Sequence, residues 1–196
     1  MKREFDHLVV AARTLEEGAD WLASRLGVAP AAGGKHSTMG THNRLLKTGP
    51  GSFLELIAID PDAPAPGRPR WFDLDTPAMH GRLAQGPALI HWVERTDDLE
   101  AALRDYSEEM EILSFVRGVH RWRMGVARDG RRPAGGRLPT LIQWESGPHP
   151  ADILPESGCV LTAFRPVTLE ADFSTPSGVR TIGTGNSPRP PVLTQY

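Results

Sequence analysis

The chain has a single cysteine among its 196 residues, a formal net charge of only -2, and no long apolar run. Each shortage excludes something. Cys159 cannot close an internal disulfide, and with no second thiol at C-x-x-C spacing it is neither a redox pair nor a zinc motif, so it reads as a small buried apolar residue. Near-neutral charge, with a sequence pI of about 6.4, gives no electrostatic reason to expect nucleic acid or an anionic membrane as a partner. No segment approaches the roughly 18 consecutive apolar residues that span a bilayer. The opening MKREFDH lacks the apolar stretch of a signal peptide, which makes the cytoplasm the expected location. What remains is an ordinary soluble globular composition, long enough to bury a full core.

The chain opens on a strand-like run, EFDHLVVA, with His7 in its middle. TLEEGADWLASRLG follows: Thr14 and Glu17 make a capping box, Leu15, Ala19, Leu22 and Leu26 recur at helical spacing, and Gly27 supplies the stop. Two further strands, THNRLLKT and SFLELIAI, flank the turn sequence GPG. The pattern then repeats. His91 follows His7 at an offset of 84 (91 − 7), and the same offset carries Val9 to Val93, Leu15 to Leu99, Glu16 to Glu100, Ala19 to Leu103 and Leu22 to Tyr106. Counting on through ILSFVRGV and HRWRMGVARDG to LPTLIQWES places Ile142-Gln143-Trp144 where the first copy has Leu54-Glu55-Leu56, with about four extra residues in the second copy. The expected organisation is one domain over 1–196: module one at 4–60, a Pro- and Gly-rich linker at 61–87 with a short helix near Trp71 to Leu74, module two at 88–147, and an extension at 148–196. Each half alone leaves one sheet face exposed, so the two should curve together around a shared interior. Within the extension, CVLTAFRPVTLEADF reads as one or two added strands, and the last ten residues as an extended tail.

A duplicated β-α-β-β-β module with a histidine on its first strand and a carboxylate on its last resembles the vicinal oxygen chelate superfamily. FDHLVVAARTLEEGADWLASRLGVAP, GTHNRLL, FLELIAID and LPTLIQWE are similar to its glyoxalase-like domain group, over roughly residues 4 to 146. The resemblance implies an α+β fold of paired βαβββ modules forming curved mixed sheets around a cleft. It does not fix a reaction, because this fold carries isomerases, lyases, ring-cleaving dioxygenases, thiol transferases and binding proteins.

On a strand, residues two apart share a face. If Leu8 and Val10 meet the helix, His7 looks into the cleft. The resemblance implies the same placement and points Glu55 at His7, with His91 and Gln143 at the equivalent places of the second half. Together these four suit one divalent ion such as zinc, nickel, manganese or iron, with Glu55 as proton carrier. Gln143 is a poor ligand by itself, and Glu145, two positions on, shares its face. His36, His42 and Asn43 are expected substrate contacts, or alternatively turn chemistry around Gly40. Arg44 reads as a surface residue more than as a partner for a substrate carboxylate, and Trp92, Trp122 and Trp144 as core more than cavity lining. His120 and His149 have no partner spacing. Two functions stay open: a metal-dependent lyase, isomerase or dioxygenase of glyoxalase type, and a metal-free protein that binds or sequesters a small molecule in the same cleft. A purely structural role is disfavoured, since unsatisfied polar groups in a cavity cost stability. With both halves on one chain a monomer is possible, and free edge strands would allow a homodimer.

Overall fold

The computed structural model describes residues 2–185, so the expected tail lies outside the described residues. The first module runs β1 (Arg3–Ala11), α1 (Leu15–Leu26), β2 (Ala31–His36), β3 (Thr41–Gly49) and β4 (Ser52–Ile59). The second runs β5 (Ala88–Thr96), α3 (Leu99–Ala102), β6 (Met110–Arg117), β7 (His120–Ala127) and β8 (Thr140–Ser146). Between them lies α2 (Pro77–Leu83), and beyond them α4 (Pro150–Ile153) and β9 (Val160–Arg165), β10 (Glu170–Thr175) and β11 (Gly178–Ile182).

Eight strands form one mixed sheet in the order β2-β3-β4-β1-β5-β8-β7-β6, a palindrome in which each strand of the first module faces its counterpart across the β1–β5 seam. β1 lies parallel to β4 and β5 parallel to β8, while β1 and β5 run antiparallel. Parallel neighbours within each half need the α-helical crossover that the sequence provides.

α1 begins and ends where its caps dictate. Thr14 Oγ1 accepts from the Glu17 amide at 3.1 Å, and Gly27 turns left-handed at φ 75°. Its apolar stripe meets Leu8, Val10, Leu54 and Leu56 on the outer face of the sheet. Gly18 permits the close approach: a Cβ there would sit 2.3 Å from Leu56 Cδ1. β9, β10 and β11 form a second sheet, one strand more than the sequence suggests, and it packs against the same outer face through Cys159, Ala171, Phe173 and Ile182. Cys159 is buried, and burial pushes its thiol up to about 11, as befits a packing residue.

The inner face holds a second core built from Val9, Ile57, Ile90, Val93, Trp122 and Ile142. The linker supplies much of its lid, and here the sequence reading needs correction. Trp71 to Leu74 is not a helix: Phe72 and Asp73 adopt positive φ of 59° and 64°, and the helix of this segment starts later, at Pro77 behind its Thr76 cap. Left-handed backbone at two consecutive non-glycine residues is costly. It is held by Asp73, whose carboxylate accepts from the Arg132 amide at 3.0 Å and from Arg132 Nε at 2.6 Å. The turn drives Trp71 and Phe72 into the interior.

Candidate active site

The inner face encloses a narrow hollow of about 30 Å³ that opens to solvent. Its walls are mainly aromatic. Trp71 stacks on Phe72 at 5.4 Å between ring centroids and Trp122 meets Trp144 at 5.6 Å, while Phe115, outside the lining, backs Trp122 at 5.5 Å. Trp122 and Trp144 therefore line the cleft, whereas Trp92 belongs to the outer core, in part against the sequence expectation.

Set into this apolar collar are the polar side chains His7, His36, Asn43, Glu55 and Arg117. Glu55 comes from β4 and is 6% exposed. Its Oε1 accepts from Asn43 Nδ2 at 2.6 Å and lies 3.9 Å from His36 Nε2; its Oε2 faces His7 Nε2 at 3.8 Å. The last distance is too long for a hydrogen bond and leaves space for a ligand atom. Among the described residues no lysine or arginine lies within ion-pair distance of this carboxylate.

His7 stacks on Phe53 at 4.4 Å, and its Nδ1–H donates to Asp6 Oδ1 at 2.6 Å. That bond fixes the tautomer and leaves the Nε2 lone pair turned to Glu55. His36 bonds Thr41 Oγ1 through Nδ1 at 3.1 Å and packs edge-on to Trp71. Burial pushes its pKa down to about 4, so it is a neutral imidazole at pH 7.

Asp6 is one residue of the cleft wall that sequence reasoning missed. β1 carries a bulge between Phe5 and His7, which takes Asp6 out of the ladder and turns it inward, fully buried. Besides His7 it accepts from Trp144 Nε1 and from His149 Nε2, both at 3.0 Å. His149, left without a role above, caps α4 through Nδ1 and ties that helix to the cleft wall. Burial alone raises the Asp6 carboxyl, but the bonds from His149 and His7 outweigh it and hold it well below the usual carboxylate range. Arg117 was also missed. It crosses from the end of β6 to donate to Asn43 Oδ1 at 3.0 Å.

Of the four positions expected to hold a metal, the structure brings His7 and Glu55 together and separates the other two. Gln143 faces the opposite side of β8, where its Oε1 accepts from the Leu99 amide and from Arg123 Nη2, each at 3.0 Å. Glu145 shares that side and pairs with Arg123. The sheet register explains the error: Val9 pairs with Glu55 and its repeat mate Val93 pairs with Thr140, so the counterpart of Glu55 is Thr140. The insertion therefore lies elsewhere than the sequence count placed it. His91 is fully buried behind Phe72, accepts from the Thr140 amide at 3.1 Å and meets its hydroxyl at 3.0 Å. The four-position set does not fit a metal, since two of its members are committed to other partners. Among the described residues no group of three or more His, Cys, Asp or Glu side chains is disposed to hold one. His42 does not join the cleft either: it sits on the other face of β3 from Asn43, opposite Lys35 and Ala58 in the ladders. Arg44 lies on the surface beside Glu16.

The two buried imidazoles make a pH prediction. Burial holds His91 well below its ordinary value, with Arg132 and His7 adding to the effect, and holds His36 near 4. Unfolded, both protonate near pH 6.5, so between about 6.5 and 4 the unfolded chain binds protons that the folded chain refuses. Stability is therefore expected to fall as pH drops through that window, the His36 share reaching about 3 kcal/mol. Urea midpoints at pH 7, 6 and 5 measure this, and the decline should be shallower for His36→Gln. A flat profile contradicts it.

A family model described as a glyoxalase-like domain matches residues 5–181. No curated protein matches the chain. Similar solved structures include a methylmalonyl-CoA epimerase from Mycobacterium tuberculosis, 17% identical over 74% of this chain and 88% of that one, with a TM-score of 0.45. A hypothetical protein from Staphylococcus aureus is 14% identical over 96% of this chain and 88% of that one, at 0.48. A Streptomyces coelicolor methylmalonyl-CoA epimerase in complex with 2-nitronate-propionyl-CoA is 16% identical over 74% and 98%, at 0.46. Among the described residues no helix is long and apolar enough to cross a membrane.

Proposed function

The chain belongs to the glyoxalase-like domain family of the vicinal oxygen chelate superfamily, and from that premise we propose that its cleft is an active site in which Glu55 moves a proton on a small oxygen-bearing substrate. The reaction type is that of an isomerase or lyase. The observation that carries the reading is Glu55 itself, a carboxylate buried among aromatic rings with one oxygen held by Asn43 and the other facing only His7 across 3.8 Å. A buried carboxylate without a cationic side chain costs stability, and such groups concentrate where chemistry needs them.

The roles follow from the bonds. Asn43 fixes the carboxylate plane through Oε1, which leaves Oε2 to take a proton from a carbon beside a carbonyl group. Neutral His7, its Nδ1–H held by Asp6, presents the Nε2 lone pair to a substrate hydroxyl and accepts its hydrogen bond. Return of that proton from Glu55 to another atom of the enolate completes an isomerisation; departure of a leaving group with its bonding electrons completes an elimination, after which Glu55 releases the proton to solvent. The aromatic walls exclude water and hold the apolar body of the substrate.

Solvent exchange tests this without knowledge of the natural substrate. Small 2-oxo acids, hydroxyketones and aldehydes incubated with the protein in D2O should lose α-proton signal in the NMR spectrum faster than in buffer for at least one compound. A compound that binds in the cleft without any accelerated exchange would overturn proton transfer and leave the cleft as a binding site only.

A further inference from the structure

Arg117 has no part in the proton transfer, yet among the described residues it is the one lysine or arginine that reaches the cleft lining. It lies at the end of β6, an edge strand of the sheet, and its stem runs past β2 at the opposite edge. Gly34 of β2 makes room for it: a Cβ at that position would lie 2.6 Å from Arg117 Cδ. The guanidinium then sits beside the Trp122 ring, 5.8 Å from its centroid, and Nη1 reaches Asn43 Oδ1 at 3.0 Å and His36 Nε2 at 3.4 Å. Both of those partners are neutral. Among the described residues no carboxylate lies within 4.0 Å of the Arg117 guanidinium. A half-buried guanidinium on the lining of the hollow, with only Nη1 engaged among the described residues, is a fork without its acid.

We infer that Arg117 is the specificity residue of the cleft and that the ligand carries a carboxylate on an aromatic or otherwise apolar body. The carboxylate meets the free edge of the guanidinium, and the body lies along Trp71, Trp122 and Trp144. This deepens the proposed function, since it rests on the same cleft taking the ligand, but it concerns recognition and not proton transfer. Asn43 connects the two, with its carbonyl on Arg117 and its amide on Glu55, so that a bound acid is placed at a set distance from the carboxylate that would act on it.

The probes are phenylpyruvate and its methyl ester, which differ in charge at one end, titrated by calorimetry into the intact protein and into Arg117→Met and Arg117→Lys. A charge-assisted bond to a bidentate partner leads to an acid that binds about tenfold or more tighter than the ester. Arg117→Met should bring the acid to the level of the ester and leave the ester unchanged, while Arg117→Lys keeps part of the preference. Equal binding of acid and ester, no binding of either, or an acid preference that survives Arg117→Met overturns the inference. Because the titration needs no turnover, it separates from the exchange experiment. Acid selectivity without exchange would sink the proton-transfer reading alone, and exchange without acid selectivity would sink this one alone.

Discussion

Asp6→Ala is expected to cost about 3 to 5 kcal/mol of folding stability, the range for breaking one side of a buried charged cluster. Three donors converge on this carboxylate: His7 Nδ1 at 2.6 Å, and Trp144 Nε1 and His149 Nε2 at 3.0 Å. Removing it orphans all of them in a place that water does not reach, and each unsatisfied buried donor carries its own desolvation cost. Arg95 Nη1, 3.7 Å away, suffers less because it also donates to Gly51 O. For a chain of this size the loss amounts to a fall in melting temperature of roughly 10 °C. Asp6→Asn should fall between the parent and Asp6→Ala, since one carboxamide oxygen still accepts while its NH2 confronts a donor. Denaturant titrations of the three proteins decide the matter, and a cost below about 1 kcal/mol for Asp6→Ala would show that the carboxylate's burial cancels its bonds. The effect should extend beyond stability. His7 loses the acceptor that fixes its tautomer, so any exchange activity should fall in Asp6→Asn even where the fold survives.

That cluster also marks the limit of what the sequence discloses. Strand parity turned His7 toward the interior and the family resemblance set Glu55 opposite it; the structure puts the two side chains 3.8 Å apart. Asp6 defeats parity: the bulge before His7 puts two consecutive residues on the same side of the strand, and nothing in EFDHLVVA announces it. Gln143 fails for a different reason. The length difference between the modules can be absorbed at several turns, and only the ladder between β5 and β8 shows that Val93 meets Thr140. Trp71 and Phe72 enter the cleft through a left-handed turn that depends on Arg132, 59 positions away in sequence. Arg117 and His149 act across the sheet, at separations of 74 residues to Asn43 and 143 to Asp6, where no spacing rule operates. The fold was more legible than the site because caps, alternation and turns are local, and the site is assembled by tertiary register.

Glu55→Gln should part activity from stability. The amide is nearly the same shape as the carboxylate, and its oxygen can still accept from Asn43 Nδ2, so the local packing persists. The buried charge is gone, and with it a desolvation cost that neither neutral Asn43 nor neutral His36 fully offsets. Stability at pH 7 is therefore expected to stay level or rise, as it often does when a site gives up a group retained for function. Proton transfer is expected to drop by about 100- to 10,000-fold, the usual worth of a positioned general base. Exchange rates and denaturant midpoints measured on one preparation read both quantities. A clear fall in stability instead would mean that Glu55 is held as the partner of a protonated His7, an ion pair whose loss leaves an imidazolium buried alone. In that case the carboxylate's environment has a structural explanation, and the catalytic assignment loses the observation on which it stands.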